Sequence, residues 1–104
     1  MKTHKINDMI GGWFIGDFKP TLHNSSNFEV AYKEYKKDDY EPLHHHKIAK
    51  EFTLIAEGKV SMNGIKYAKG DIIEISPNES TDFKALSDVK TVVVKIPSAM
   101  SDKY

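Results

Sequence analysis

Short stretches of alternating or continuous apolar residues, each closed by turn formers, run along the whole chain. Gly11-Gly12-Trp13-Phe14-Ile15-Gly16 is a brief apolar run bounded by glycines, which predicts a first strand. Lys19-Pro20 ends it, and His23 to Asn27 is a polar loop. Phe28 to Lys33 alternates with a period of two, which predicts a half-buried strand with Phe28, Val30 and Tyr32 inward. Asp38-Asp39-Tyr40-Glu41-Pro42 is a turn leading into a strand that carries the histidines.

Glu51 to Ala56 is the next strand. Lys59 to Met62 and Ile65 to Tyr67 flank Asn63-Gly64, the strongest short hairpin signal because both residues tolerate positive φ. Ile72 to Ile75, Ser80 to Ala85 and Val92 to Ile96 complete the set, separated by turns at Ser76-Pro77-Asn78 and Ser87-Asp88. Eight or nine strands about eight to twelve residues apart predict an all-β sandwich or barrel. No window longer than ten residues keeps a helical period, and there is no repeat or linker, so one domain spanning 1–104 is expected. Ser98 to Tyr104 reads as a short turn or a loose end.

Composition narrows the function. With 104 residues the chain can build one core, and with no cysteine it has no disulfide, thiolate metal site or cysteine nucleophile. Fifteen basic and fifteen acidic side chains cancel, without the basic stripe of a nucleic-acid binder. No apolar run approaches the ~20 residues that span a bilayer, and MKTHKINDMIGG lacks a secretory h-region. A cytoplasmic protein acting without nucleic acid or membrane is expected.

The chemistry concentrates in Pro42 to Gly58. On an extended strand His44 and His46 share a face and His45 points the other way. Two imidazoles with the Glu51 carboxylate nearby can close around a divalent transition metal such as Fe, Mn, Ni, Co or Zn, leaving positions open to a small molecule. Surface histidines are the bland alternative. Lys47 and Lys50 could attract an anionic substrate, or be solvated turn residues. Tyr32 and Phe83 could line a pocket, and so could Trp13 and Tyr35, although such aromatics serve equally as core or dimer contacts.

The run from His44 to Gly58 resembles the first motif of the cupin superfamily. It reads His44, His45, His46, four residues, Glu51, six residues, Gly58, with Pro42 ahead of it and Asp38 in place of the leading glycine. A second motif would begin at Gly70. Counting on, its proline falls on Ser76, its glycine on Asn78, its histidine on Thr81 and its closing asparagine on Ala85. The resemblance covers about residues 28–96 and implies a double-stranded β-helix, or jelly roll, with His44, His46 and Glu51 holding a metal inside the barrel. It also implies oxygenase, isomerase or lyase chemistry on a small molecule, and pairing as a homodimer. Thr81 stands where a further histidine is usual, and Glu79 shares its strand parity and could reach inward. With the second motif degraded, the alternative is a non-catalytic cupin that binds a sugar or carboxylate as sensor or accessory subunit.

Overall fold

The computed structural model describes residues 1–99 and 101–104. Among these residues one 3-10 turn (Ile6–Asp8) precedes nine strands: β1 Trp13–Ile15, β2 Glu29–Tyr35, β3 Tyr40–His44, β4 Lys50–Glu57, β5 Lys59–Met62, β6 Ile65–Ala68, β7 Ile72–Ile75, β8 Thr81–Ala85 and β9 Val89–Ile96. They form a five-stranded sheet in the order β1-β2-β9-β4-β7 and a four-stranded sheet in the order β3-β8-β5-β6. Every pairing between strands is antiparallel. This is the double-stranded β-helix architecture that the cupin resemblance implied, within the all-β class that the strand spacing predicted. Among the described residues no helix is long and apolar enough to cross a membrane.

The interior is apolar at one end and polar at the other. Ile55, Val60, Met62, Ile75, Phe83, Ala85 and Val89 are buried in one cluster, with Tyr35, Tyr67 and Ile73 packed against it. Removing an aliphatic side chain of this kind from water contributes about 1.5–3 kcal/mol. Tyr35 packs on Phe83 with ring centroids 4.6 Å apart. Towards the other end the inward positions turn to Glu29 on β2, Glu51 and Thr53 on β4, and Thr91 and Lys95 on β9.

That change explains a correction to the expected parity of β2. Glu29 and Ala31 are the fully buried residues of the strand, while Val30 and Tyr32 are half-buried and Phe28 is exposed. Phe28, Val30 and Tyr32 therefore face outward. Val30 pairs with Val94 and Tyr32 with Val92, and Phe52 and Leu54 of β4 continue the same rows. These rows make the outer face of the five-stranded sheet apolar here, aliphatic and aromatic together, while the inner face at this end is charged. Alternation marks the period of a strand; which parity faces in depends on what lies inside.

Turn positions follow backbone demands. Asn63 and Gly64 both have positive φ, as the hairpin required. Asp38, Gly58, Gly70 and Asn78 also have positive φ, at 76°, 92°, 94° and 68°. These are the four positions where the two motifs call for glycine. Asp38 and Asn78 replace it with the side chains that tolerate this region best. Gly58 is the tightest of the four, since a Cβ there would collide with the backbone carbonyl of Asp88. Gly58→Ala is expected to destabilise the protein by about 2–3 kcal/mol, measurable by urea unfolding. A loss under about 0.5 kcal/mol, the level of an ordinary surface substitution, would show that the turn relaxes freely.

Candidate functional site

Strand β3 ends at His44, so His46 lies in the following loop rather than on the same strand face. The two rings nonetheless come together, with centroids 5.8 Å apart and nearly perpendicular planes. A bulge between Glu41 and His44 re-aims the strand end, and His44 pairs directly with Thr81 of β8. Glu51, at the start of β4, places a carboxylate oxygen 3.4 Å from His46 Nε2.

The loop is held by a segment far along the chain. Asp102 is 3% exposed, and its carboxylate accepts backbone N–H bonds from Lys47, Ile48 and Ala49 at 2.9, 2.8 and 2.9 Å. Its backbone carbonyl accepts a hydrogen bond from His46 Nδ1. His45 and Tyr104 exchange two backbone bonds, and their rings stack at 5.6 Å. Of the two expected readings of this end, the short turn is present, with the Asp102 N–H bonded to the Ala99 carbonyl, while Asp102 and Tyr104 are not loose but clamp the histidine loop; Met100 of the same segment lies outside the described residues.

These bonds decide the tautomers. A carbonyl oxygen only accepts, so His46 Nδ1 carries the proton, and the same holds for His44 Nδ1, which donates to the Pro42 carbonyl at 3.0 Å. In each neutral ring the lone pair is then on Nε2, the arrangement that metal-ligating histidines share. The Glu51 carboxylate raises the His46 pKa above the ordinary imidazole value; burial opposes this and the Asp102 carbonyl adds to it. Burial alone would raise Glu51, but His46, the Thr53 hydroxyl and Lys95 together lower it, so it is a carboxylate. The donor chemistry fits a divalent metal. As placed, however, no three His, Cys, Asp or Glu side chains among the described residues converge on a point that could hold an ion. His46 and Glu51 already face each other, which leaves His44 as the donor that must approach.

A cavity of about 60 Å³ opens beside these groups. His44, His46, Thr81, Phe83 and Glu41 form one wall, and Trp13, Lys33, Glu51, Thr53, Thr91 and Lys95 form the other. Thr81 and Phe83 thus line it. Tyr32 and Glu79 do not line this cavity and border separate hollows instead. Tyr32 follows the outward parity of β2 and donates to Glu34 at 2.8 Å, while Glu79 precedes β8 and accepts the Ser76 N–H across a turn. Lys47 lies over the Tyr104 ring and Lys50 pairs with Glu74, both away from the cavity. Lys95 and Asp102 escaped sequence reasoning. A lysine in an alternating strand reads as surface, and Asp102 works through backbone N–H groups that leave no mark in the sequence. Burial lowers the Lys95 pKa, and Glu51 and Glu29 partly restore it.

Neither a protein-family model nor a curated protein matches the chain. Solved structures do. An RmlC-like cupin from Shewanella frigidimarina superposes with a TM-score of 0.66 at 16% identity, covering 74% of this chain and 71% of its own. The bacterial pirin YhhW from Escherichia coli, solved in complex with nickel(II), gives 0.70 at 18% identity over 84% of this chain and 39% of its own. The DMSP lyase DddQ from Ruegeria pomeroyi gives 0.67 at 16% identity over 78% and 44%.

The chain has the cupin fold. It spans less than half the length of the pirin and of the lyase. Within this fold His44, His46 and Glu51 line one cavity together with Thr81, which pairs with His44. Cupins of this shape include an enzyme and a nickel-bound protein, so the scaffold carries both catalysis and metal binding in other chains.

Proposed function

We propose that this cupin binds one divalent transition metal through His44 Nε2, His46 Nε2 and Glu51 and acts there on a small molecule. The observation that carries the reading is the pair of backbone carbonyls, of Pro42 and Asp102, that engage Nδ1 of both cavity-lining rings and leave Nε2 of each as the atom to ligate a metal. Bound there, a metal would supply a Lewis acid or a redox centre with open positions. The chain's own residues do the rest. Thr53 donates to Glu51 at 2.9 Å and orients it, Asp102 fixes the His46 ring, and Phe83 and Met62 form an apolar floor. The lyase and the nickel-bound pirin support this class of function without specifying a reaction. Purified protein is expected to contain about one divalent metal per chain, and its Tm is expected to fall after chelator treatment and recover on adding the metal back. Metal-free protein whose Tm responds to none of Fe, Mn, Ni, Co or Zn would overturn the reading.

A second reading, a cupin that binds its ligand without metal, is favoured by Thr81. Its hydroxyl donates to the Asp82 carbonyl at 2.7 Å and supplies no fourth ligand. Small-molecule stabilisation that persists in chelator selects this second reading.

A further inference from the structure

Beyond Glu51 and Thr53, the wall of the cavity opposite His44 and His46 carries groups that a metal does not explain. Strands β2 and β9 run side by side there, with Lys33 paired to Thr91 and with Lys95 on the same inward face of β9 as Thr91. Thr91 is 1% exposed, and among the described residues its hydroxyl has no hydrogen-bond partner. A buried hydroxyl left in that state costs about 1–3 kcal/mol. Thr91 is among the residues lining the cavity, which makes a group bound in the cavity the candidate for the missing partner.

Lys95 repeats the pattern with a charge. It is 9% exposed, and its nearest carboxylate oxygen, Glu29 Oε1, is 3.8 Å away, beyond hydrogen-bond reach. The Lys95 and Lys33 ammoniums lie 5.0 and 5.2 Å from the centroid of the same indole ring, Trp13. The ring face favours each cation, but gathering two ammoniums on one indole leaves like charges together in a partly dehydrated place. Glu29 and Glu51 offset part of that charge; a bound anion beside the two ammoniums would offset more of it and would have the Thr91 hydroxyl on the same cavity wall. At about 60 Å³ the cavity holds roughly four to six water-sized groups, the size of acetate or propionate.

We propose that Thr91, Lys33 and Lys95, walled by Trp13, form a carboxylate-binding subsite for a short organic acid. The proposal rests on the reading of this cavity as the ligand site and is independent of the metal. Each ammonium contributes a charge-assisted hydrogen bond, Thr91 a neutral one, and the rest of the acid points towards His44 and His46.

Trp13 is the sole tryptophan, so its emission reports the site directly. The test is titration with propionate, its neutral isostere propionamide, and inorganic phosphate, at constant ionic strength. Emission and calorimetry are read together, on chelator-treated and on metal-loaded protein. Propionate is expected to bind saturably in both states and propionamide in neither. Lys33→Gln, at a half-exposed position, and Lys95→Met are each expected to weaken propionate roughly tenfold or more. Thr91→Val keeps the shape and removes an unmet hydroxyl, so it should fold at least as stably as wild type while binding propionate several-fold more weakly. Propionamide matching propionate, phosphate binding more tightly than propionate, or Lys33→Gln retaining the wild-type Kd would each overturn the subsite. Propionate binding to protein that takes up no metal upholds the subsite and fails the metal centre. Metal uptake with no propionate binding does the reverse.

Discussion

Asp102→Ala is expected to cost the fold about 2–4 kcal/mol and to weaken metal binding about 10–100-fold. The stability loss comes from one carboxylate that accepts three backbone N–H bonds while nearly fully buried. Hydrogen bonds to a charged group contribute about 1.5–3 kcal/mol each, and removing the acceptor leaves the buried Ala49 N–H unmet. Lys47 and Ile48 lie at the surface, where water takes over part of the loss, which keeps the total below the simple sum. The affinity loss comes from the carbonyl of the same residue, which orients His46; loosening such a partner typically costs 10–100-fold in metal affinity. Asp102→Asn keeps an acceptor oxygen and should lose about half as much stability.

Acid sharpens the Asp102 test. Burial would raise the Asp102 pKa, but the N–H groups of Ala49, Ile48 and Lys47 outweigh it and hold the carboxyl below the usual range. A carboxyl depressed on folding stabilises the protein above its unfolded pKa, near 3.9, and that contribution is lost as pH falls through the folded value. The stability gap between wild type and Asp102→Asn should therefore be full at neutral pH and narrow in acid. Urea unfolding of chelator-treated protein across pH 3–7 measures it. A gap that stays constant would mean that the clamp does not depend on the ionised carboxylate.

His46→Ala is expected to abolish metal binding, lowering affinity at least about 100-fold. His46 is the donor with its proton fixed, its ring 95% covered and its Nε2 facing Glu51. The converse substitution is Thr81→His. Position 81 pairs with His44 across β3 and β8, so a histidine there adds an imidazole beside the two present. An added ligand of this kind should raise affinity about tenfold or more. Calorimetric titration of folded, chelator-treated variants reads both effects. Wild-type affinity in His46→Ala would place any metal elsewhere.

Strand positions were legible from the sequence because turns declare themselves locally: Asn63-Gly64, Gly70 and Ser76-Pro77-Asn78 each close a run where backbone dihedrals demand it. The histidines and Glu51 were legible because their spacing is tied to one loop and one strand start. The inward parity of Glu29, Lys33 and Lys95 was not. Their neighbours Val30, Tyr32, Val92 and Val94 are the more apolar set, and apolar residues point inward only where the interior is apolar. In this barrel the polar end reverses the pattern. Asp102 was hidden for another reason, since its partners are backbone groups more than fifty residues away in sequence.

That long separation bears on the order in which the molecule takes shape. His46 waits for Asp102, 56 residues on, and β2 waits for β9, so that Glu29 meets Lys95 only after most of the chain has been made. Contacts this non-local are slow to form, because loop-closure entropy is spent before they contribute. A nascent chain that has emerged only as far as Gly70 already carries His44, His46 and Glu51. It has no cavity for them to face, and the chemistry of the histidine loop arrives together with the closing strand rather than with the histidines.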